Sequence, residues 1–593
     1  MTDPRRTYKT RLDNLRQATD RQKRILRRSS ILRIVVFLTA ALLAYLALQG
    51  FLWMGYGSLG LAVLFAYLVA RHQDLKYELR RLKELIGLNE TELRVLDGDF
   101  SDLPEGSSYL EHDHAFAEDL DLFGQGSFFQ YMNRTGLTTG SAKLAKWLGS
   151  NETEQIPDKQ AATRELAPLI DWRQEFTATA RLISTPISEG DLATRMSGYK
   201  PFLPGWVRHL PAVFSLISLA TGLLVVLGGL PPWPLVVLFF TGLLITLPYA
   251  KKIGHLAGMT GKMQEVFRQY GRLVAQVEAQ PFQAKRLQEL KASLSSTGIP
   301  VSEILRSLSR RISALDQRNN LLVAVFGNAF FLWDLRQAYS LERWIESHGA
   351  QVPHWFGALS GFDACNSMGN FAYNHPRYVF PEIQEEGQTA FKVQQLAHPL
   401  LFGQVVRNDV RIGSGHFLVI TGANMAGKST FLRAVSLCLV MANSGLPVCA
   451  ESMAYTPIPL ITSMRTTDSL SRQESYFFAE LQRLKRIVDH LKGSPYFVVL
   501  DEILKGTNSK DKAKGSREFL ERLLKMQATG LIATHDLSLC EVAGEQPQVQ
   551  NCFFDVEIRE GELYFDYRLK PGVCSNMNAS FLLRKLGVVE GNP

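Results

Sequence analysis

Phe417-Leu418-Val419-Ile420-Thr421-Gly422-Ala423-Asn424-Met425-Ala426-Gly427-Lys428-Ser429-Thr430 is the stretch on which the fold turns. Four apolar residues run into a G-x-x-x-x-G-K-[ST] loop, and a helix-like run from Phe431 to Met441 follows. Strand, glycine loop and helix in that order make the pattern a phosphate-binding loop. Glycines let backbone N–H groups wrap phosphate oxygens, and the helix N-terminus adds a positive dipole. Gly422, Ala423, Asn424, Met425, Ala426, Gly427, Lys428, Ser429 and Thr430 are therefore expected to bind ATP. Lys428 is expected to reach the β- and γ-phosphates and to act in catalysis, and the Ser429 hydroxyl to ligate Mg²⁺.

Two further strand-like runs carry polar ends. Tyr496 to Leu500 is apolar and ends in Asp501-Glu502. Carboxylates at the end of a buried strand are costly unless a cation or water meets them. Asp501 is expected to coordinate Mg²⁺, and Glu502 to orient the attacking water; an N-cap pair is the structural alternative. Gly530 to Ala533 ends in Thr534-His535-Asp536, which places His535 where it could sense the γ-phosphate or the water. Short β-rich runs alternating with helical stretches beyond about Phe380 predict a doubly wound α/β domain.

Upstream, two apolar blocks interrupt an otherwise globular composition. No Asp, Glu, Lys or Arg lies between Arg33 and Arg71. A single helix of that length would run about 55 Å against a bilayer core of about 30 Å, so two helices with a break near Gln49 to Gly57 fit better. A second block, Arg208 to Lys251, is split by Gly228-Gly229-Leu230-Pro231-Pro232-Trp233-Pro234. Both read as transmembrane hairpins, with buried core helices as the alternative. Lys/Arg flank both, which places the soluble parts in the cytoplasm under the inner membrane. The third apolar run, Leu321 to Trp333, is short, contains Asn328, and is expected to be a core helix.

The net charge of +8 is concentrated in the first thirty residues, where ten Lys/Arg face three acids. A basic run before an apolar segment sets topology and attracts anionic head groups; a DNA-binding arm is the other reading. Cys365, Cys438, Cys449, Cys540, Cys552 and Cys574 form no C-x-x-C pair, which predicts reduced thiols and no zinc site. The expected organisation is a basic cytoplasmic N-terminal segment (1–30), transmembrane hairpin 1 (31–71) and a linker helix and connector (72–119). A first helical core part (120–204), transmembrane hairpin 2 (205–250), a lever and core region (251–379) and an ATPase domain (380–593) follow. Residues 97–199 are expected to be mostly helical, and 251–317 to form long levers.

These residues also carry a resemblance. Thr421 to Thr430 resembles the T-G-P-N-M-x-G-K-S-T loop of the MutS family, with Ala423 in place of the Pro. Leu500 to Asp511 resembles its L-D-E-I-G-R-G-T-S-T-x-D segment, and Ala533-Thr534-His535 its A-T-H switch. His398-Pro399 with Asn408-Asp409, Asp468-Ser469-Leu470 through Ser475-Tyr476-Phe477 with Glu480, and Asn133-Arg134-Thr135 through Gly140 resemble further family elements. Gln473 stands where the family has Gly, and Val405 where many members place an aromatic against adenine. The resemblance implies an α/β P-loop domain of ABC/MutS type preceded by an all-α core and lever region. It implies a homodimer through the ATPase domains, with Ser475 reaching the partner's γ-phosphate, Asp511 at the interface, and mismatched, damaged or branched DNA as the ligand. No module of the size of the family's mismatch-reading domain is expected before Phe116-Ala117-Glu118, a match to that domain's Phe-x-Glu motif. The expected function is thus a membrane-anchored, Mg-dependent ATPase coupled to DNA, with membrane lipid and other repair or membrane proteins as further partners. The alternatives are an ATP-driven dimeric scaffold acting on a membrane or protein partner, and an ABC-type transport ATPase.

Overall fold

The computed structural model describes residues 3–51, 53–111, 113–183, 194, 196, 198–295, 298–385, 389–403, 405–465, 476–559 and 562–574. Two long antiparallel helices, α1 (Pro4–Leu48) and α2 (Trp53–Leu96), open the chain. At 45 residues α1 is about 68 Å long, so the basic stretch and the apolar stretch are one helix. Gly50, at φ 107°, makes the turn between them. The apolar half of the pair exposes Ile31, Ile34, Val35, Leu38 and Leu59, whereas Tyr8 and Leu12 at the other end are buried. Among the described residues three helices are long and apolar enough to cross a membrane: Pro4–Leu48, Trp53–Leu96 and Trp233–Thr260. Leu210–Val226 is apolar but shorter, at 17 residues.

The basic end of α1 is docked on the body of the protein. Arg5 pairs with Asp97, Arg11 with Asp171 and Arg16 with Glu90. The Tyr8 hydroxyl donates to Asn374 Oδ1 at 2.7 Å. Below it Glu92 accepts from Arg134 Nε at 2.7 Å and from Asn374 Nδ2 at 2.6 Å, an ion pair shielded from solvent on both sides. In the Asn133–Gly140 stretch the Asp363 carboxylate accepts from Gly136 N at 3.0 Å and Leu137 N at 2.8 Å. A Cβ on Gly140 would overlap that carboxylate.

Three expectations are corrected. Residues 99–127 are mostly irregular rather than helical; they lie on the α/β domain, and Phe116 and Phe128 share one core with Val435 and Leu531. Phe116 is buried against His114 and cannot act as an inserting wedge. The region after Lys251 forms no long lever. Gln264–Ala279, Lys285–Ala292, Val301–Asp316 and Trp333–His348 are short helices that bury one stripe each in a second core. Their charges lie between apolar residues at helical spacing, the pattern of a bundle face. The Leu321–Trp333 run is not a core helix. Its π-turn Val323–Gly327 and helix Asn328–Phe331 expose Leu321, Leu322 and Phe326. They lean on the second apolar hairpin instead: Phe239 meets Phe326 and Phe330 ring to ring, and a Cβ on Gly242 would overlap the Ala329 carbonyl.

Beyond residue 380 the strands are β1 (Glu382–Ile383), β2 (Thr389–Leu396), β3 (Asn408–Gly413), β4 (Phe417–Gly422), β5 (Ser452–Tyr455), β6 (Leu460–Ser463), β7 (Phe497–Asp501), β8 (Thr529–Ala533), β9 (Val549–Arg559) and β10 (Glu562–Pro571). They form two sheets among the described residues, ordered β1-β5-β2-β3 and β10-β9-β4-β8-β7-β6. In the larger sheet β9, β4, β8, β7 and β6 run parallel, and β10 is antiparallel at the edge. The buried β4, β7 and β8 read as continuous apolar runs because both faces are covered. Their carboxyl ends, where ligands of open α/β sheets bind, lie side by side.

Candidate functional site

The loop after β4 is shaped by its backbone. Gly422 has φ 148° and Gly427 φ 96°, and a Cβ on Gly422 would press on the Phe554 carbonyl. Met425 also takes a positive φ, at 67°, with its side chain in solvent. The helix Lys428–Asn443 begins directly at the loop, so its free N–H groups point into the loop's concavity. Ala423, Asn424, Ala426 and Thr430 complete the turn and the helix's first residues. Residues 466–475, which include Ser475 and Gln473, lie outside the described residues.

Five of the expected residues converge there from three strand ends. The Lys428 ammonium donates to Gly422 O at 2.9 Å and Ala423 O at 3.0 Å, and stands 3.1 Å from His535 Nε2. The Ser429 hydroxyl donates to Asp501 Oδ2 at 2.6 Å. His535 Nε2 is also 3.0 Å from Glu502 Oε1. An ionised carboxylate only accepts, so the Nε2 proton goes to Glu502 and the lysine hydrogens go to the two carbonyls. The electrostatics follow the same contacts. Glu502 is pulled down to about 2, first by the His535 bond and then, against burial, by Lys505 and Lys428. Asp501 is raised, chiefly by burial, and burial also lowers Lys428. A cation at Asp501 would relieve what burial imposes on it.

The donor set fits magnesium. Ser429 and Asp501 offer two hard oxygens in contact, and no group of three or more His, Cys, Asp or Glu that could hold a metal occurs among the described residues. Mg²⁺ keeps several waters and takes one or two protein oxygens plus substrate phosphates.

Beside the loop a cavity of about 370 Å³ is lined by His398, Phe402, Val405, Phe431 and Tyr567 among others. Val405 is therefore at the site, but Phe402, Phe431, Phe554 and Tyr567 stand with it. Tyr567, at φ 52°, sits in the irregular stretch of β10 between Phe565 and Leu569, and a Cβ on Gly427 would lie 3.0 Å from its ring. Asn408 clamps that irregularity: Nδ2 donates to Tyr567 O at 3.1 Å, and Oδ1 accepts from Leu569 N at 2.8 Å. Burial pushes His398 down to about 4, which leaves a neutral ring in the wall.

Sequence reasoning named Glu480 only as part of a family element, without a role, and missed Asp119; both hold this site in place. Buried Glu480 accepts from Leu504 N at 2.5 Å and Lys505 N at 3.1 Å, fixing the turn after Glu502, where Glu502 and Leu504 both have positive φ. Fully buried Asp119 accepts from the Thr462 hydroxyl at 2.6 Å, Met464 N at 3.1 Å and Arg483 Nη2 at 2.5 Å. It ties the segment after α2 to β6 and to the helix Tyr476–Leu491. Asp511 lies at the surface, in the N-terminal turn of the helix Ser509–Lys525, where its N–H donates to the Asn508 side chain at 2.9 Å. Asp119, set between Glu118 and Leu120, and Tyr567 carry no motif that a single sequence displays.

Residues 418–583 match the family model described as MutS domain V. This part of the chain is a MutS-type domain V. The chain is 31% identical to MutS protein homolog 4 of Homo sapiens over 34% of this chain and 22% of that protein. It is 34% identical to DNA mismatch repair protein MSH6 of Arabidopsis thaliana over 36% of this chain and 17% of that protein. With DNA mismatch repair protein MutS of Myxococcus xanthus (strain DK1622) it shares 26% identity over 76% of this chain and 55% of that protein. That last similarity extends from the α/β domain into the helical part. The chain thus spans about a fifth to about half of the length of these relatives.

Proposed function

We propose that this MutS-family chain is a membrane-anchored, Mg²⁺-dependent ATPase. It acts as a homodimer through its α/β domains and couples ATP binding and hydrolysis to a grip on DNA. The observation that carries the ATPase reading is the meeting of Lys428, Ser429, Asp501, Glu502 and His535 at three adjacent strand ends. The loop amides and Lys428 bind the β- and γ-phosphates. The apolar cavity with Phe402 and Tyr567 takes the adenine. Magnesium, held by Ser429 and Asp501, supplies charge neutralisation to the phosphates. Glu502 is a carboxylate at neutral pH and accepts a hydrogen bond from the attacking water. His535 orients Glu502 through the 3.0 Å contact. Water adds to the γ-phosphorus as its bond to the bridging oxygen breaks, yielding ADP and phosphate.

The exposed apolar helices support anchoring in the inner membrane, with the rest of the chain in the cytoplasm. DNA as ligand is supported by the names of the relatives, two of which are DNA mismatch repair proteins. A second reading, an ATP-driven scaffold acting on a membrane or protein partner, is favoured by one observation. Arg5, Arg11 and Arg16, half-way candidates for a DNA arm, are engaged with Asp97, Asp171 and Glu90. Binding of mismatch, junction, single-stranded and duplex DNA to the purified chain, with and without ATP, separates the two. Salt-sensitive binding that ATP modulates supports the first reading; ATP hydrolysis without any DNA binding supports the second.

A further inference from the structure

A cavity of about 680 Å³ opens at the foot of the second apolar hairpin, far from the nucleotide loop in sequence and built from other elements. Arg208 and Pro211 border it from the start of the helix Leu210–Val226, Arg311 from Val301–Asp316, and Arg336, Ser340 and Arg343 from Trp333–His348. Among the described residues no carboxylate lines it. Of the nearby acids one is engaged elsewhere and one holds a cavity arginine. Glu342 accepts from Tyr199 Oη at 2.8 Å and Phe202 N at 2.9 Å, and Glu346 pairs at the surface with Arg343. Arg311 Nη1 donates to Ser340 O at 3.3 Å, but its Nε is buried with no partner. Burial and the neighbouring Arg310 draw that guanidinium below its ordinary value. Three of the four guanidinium groups facing this space, those of Arg208, Arg311 and Arg336, have no counter-charge among the described residues; they repel one another unless an anion joins them, and guanidinium forks suit phosphate oxygens.

The position of the cavity selects the anion. One turn beyond it the same helix exposes Val213, Leu216 and Ile217, and the helix bearing Arg336 follows directly on exposed Leu321, Leu322 and Phe326. A bilayer around those side chains sets its head-group layer at the cavity mouth. Basic pockets at that level, beside membrane helices, take anionic lipid head groups. We infer that the Arg208–Arg311–Arg336–Arg343 cavity binds the phosphate head group of an anionic glycerophospholipid, an inference that rests on the membrane-anchored reading.

The test is native mass spectrometry of the full chain in neutral detergent, titrated with phosphatidylglycerol or phosphatidylcholine. The wild type is expected to retain phosphatidylglycerol at concentrations at least tenfold below those needed for phosphatidylcholine. Arg336 and Arg343 are exposed, so the R336Q/R343Q variant is expected to melt like the wild type and to lose that preference; R208Q, equally exposed, is expected to weaken it in part. Equal retention of both lipids, or a variant with the wild-type preference, overturns the inference. Displacement of phosphatidylglycerol by inorganic phosphate or by duplex DNA also overturns it, assigning the cavity to a free phosphate or to nucleic acid. Carbonate extraction of cell membranes reads anchoring separately. A chain released by carbonate removes the membrane reading, whereas a retained chain without lipid preference removes only the head-group site.

Discussion

Replacing Glu502 with Gln removes one negative charge and one strong acceptor while leaving the side chain's volume nearly unchanged. Glu502 is held at about 2 by His535 and nearby lysines, so at pH 7 it is essentially all carboxylate. A positioned base of this kind contributes about 10²- to 10⁴-fold, which corresponds to about 2.7 to 5.4 kcal/mol of barrier. Binding depends on other groups, namely the loop amides, Lys428 and the Ser429–Asp501 pair. The E502Q chain is therefore expected to bind ATP as tightly as the wild type, or more tightly, since a charge that repels phosphate is gone. Its single-turnover hydrolysis falls by two to four decades, so ATP accumulates on the protein. Rapid-quench measurement of γ-phosphate release, with retained nucleotide counted after gel filtration, reads both quantities in one preparation. Hydrolysis within about threefold of the wild type, with normal ATP retention, would refute the role given to Glu502. Loss of ATP binding together with hydrolysis would show that the charge holds the loop rather than the water.

Lys428→Ala deletes the ammonium at the centre of the loop and is expected to weaken ATP binding by at least about a hundredfold, read by fluorescent-nucleotide titration. Phe402→Ala and Tyr567→Ala open one wall each of the base cavity. Each is expected to raise the Kd for ATP several-fold while leaving triphosphate affinity unchanged, checked by competition with inorganic tripolyphosphate. Glu92→Ala leaves Arg134 charged and unpaired in the interior, at a cost of about 3 to 5 kcal/mol, whereas an E92M/R134M pair recovers most of it; urea denaturation of the detergent-solubilised chain measures both. His375 and His398 are each pushed down to about 4 by burial, so below their ordinary value of 6.5 the unfolded chain takes up protons that the folded chain refuses. Stability contributed by their neutral burial is complete above about pH 6.5 and declines towards pH 4, by about 1.4 kcal/mol per pH unit for each ring. His398→Gln is expected to flatten its share of that slope, and an unchanged slope would remove His398 from the account.

The nucleotide loop was legible because its chemistry forces local sequence. Gly422 and Gly427 need positive φ, Lys428 and Ser429 must follow within one helical turn, and Asp501-Glu502 must end an apolar strand. Each constraint acts within a dozen residues. The readings that failed concerned relations across the chain. Periodicity places apolar residues on one face of Gln264–Ala279 and Val301–Asp316, but cannot say that the two helices pack on each other rather than reach outward. Its length and Asn328 separated the Leu321–Trp333 run from a spanning helix and put it in the core, while its contacts with Phe239 and Gly242 put it beside the apolar hairpin. The basic start of the chain reads as a topology signal or a DNA-binding arm, because its partners Asp97, Asp171 and Glu90 are 74 to 160 residues away in sequence.

Those distant contacts define how a grip on a membrane could bear on ATP. α2 ends at Leu96, and the irregular segment that follows delivers Asp119 into the α/β domain. Asp119 binds the end of β6 and Arg483, and Glu480, one turn earlier on Arg483's helix, pins the backbone two residues after Glu502. Glu92 on α2 meanwhile holds Arg134 and Asn374, two of the points where the helical core meets the apolar pair. The long helices are thus tied to the catalytic turn by buried, charge-assisted bonds rather than by a flexible tether. Contiguity of this kind becomes coupling only if the joined parts have two arrangements that ATP and the membrane favour unequally.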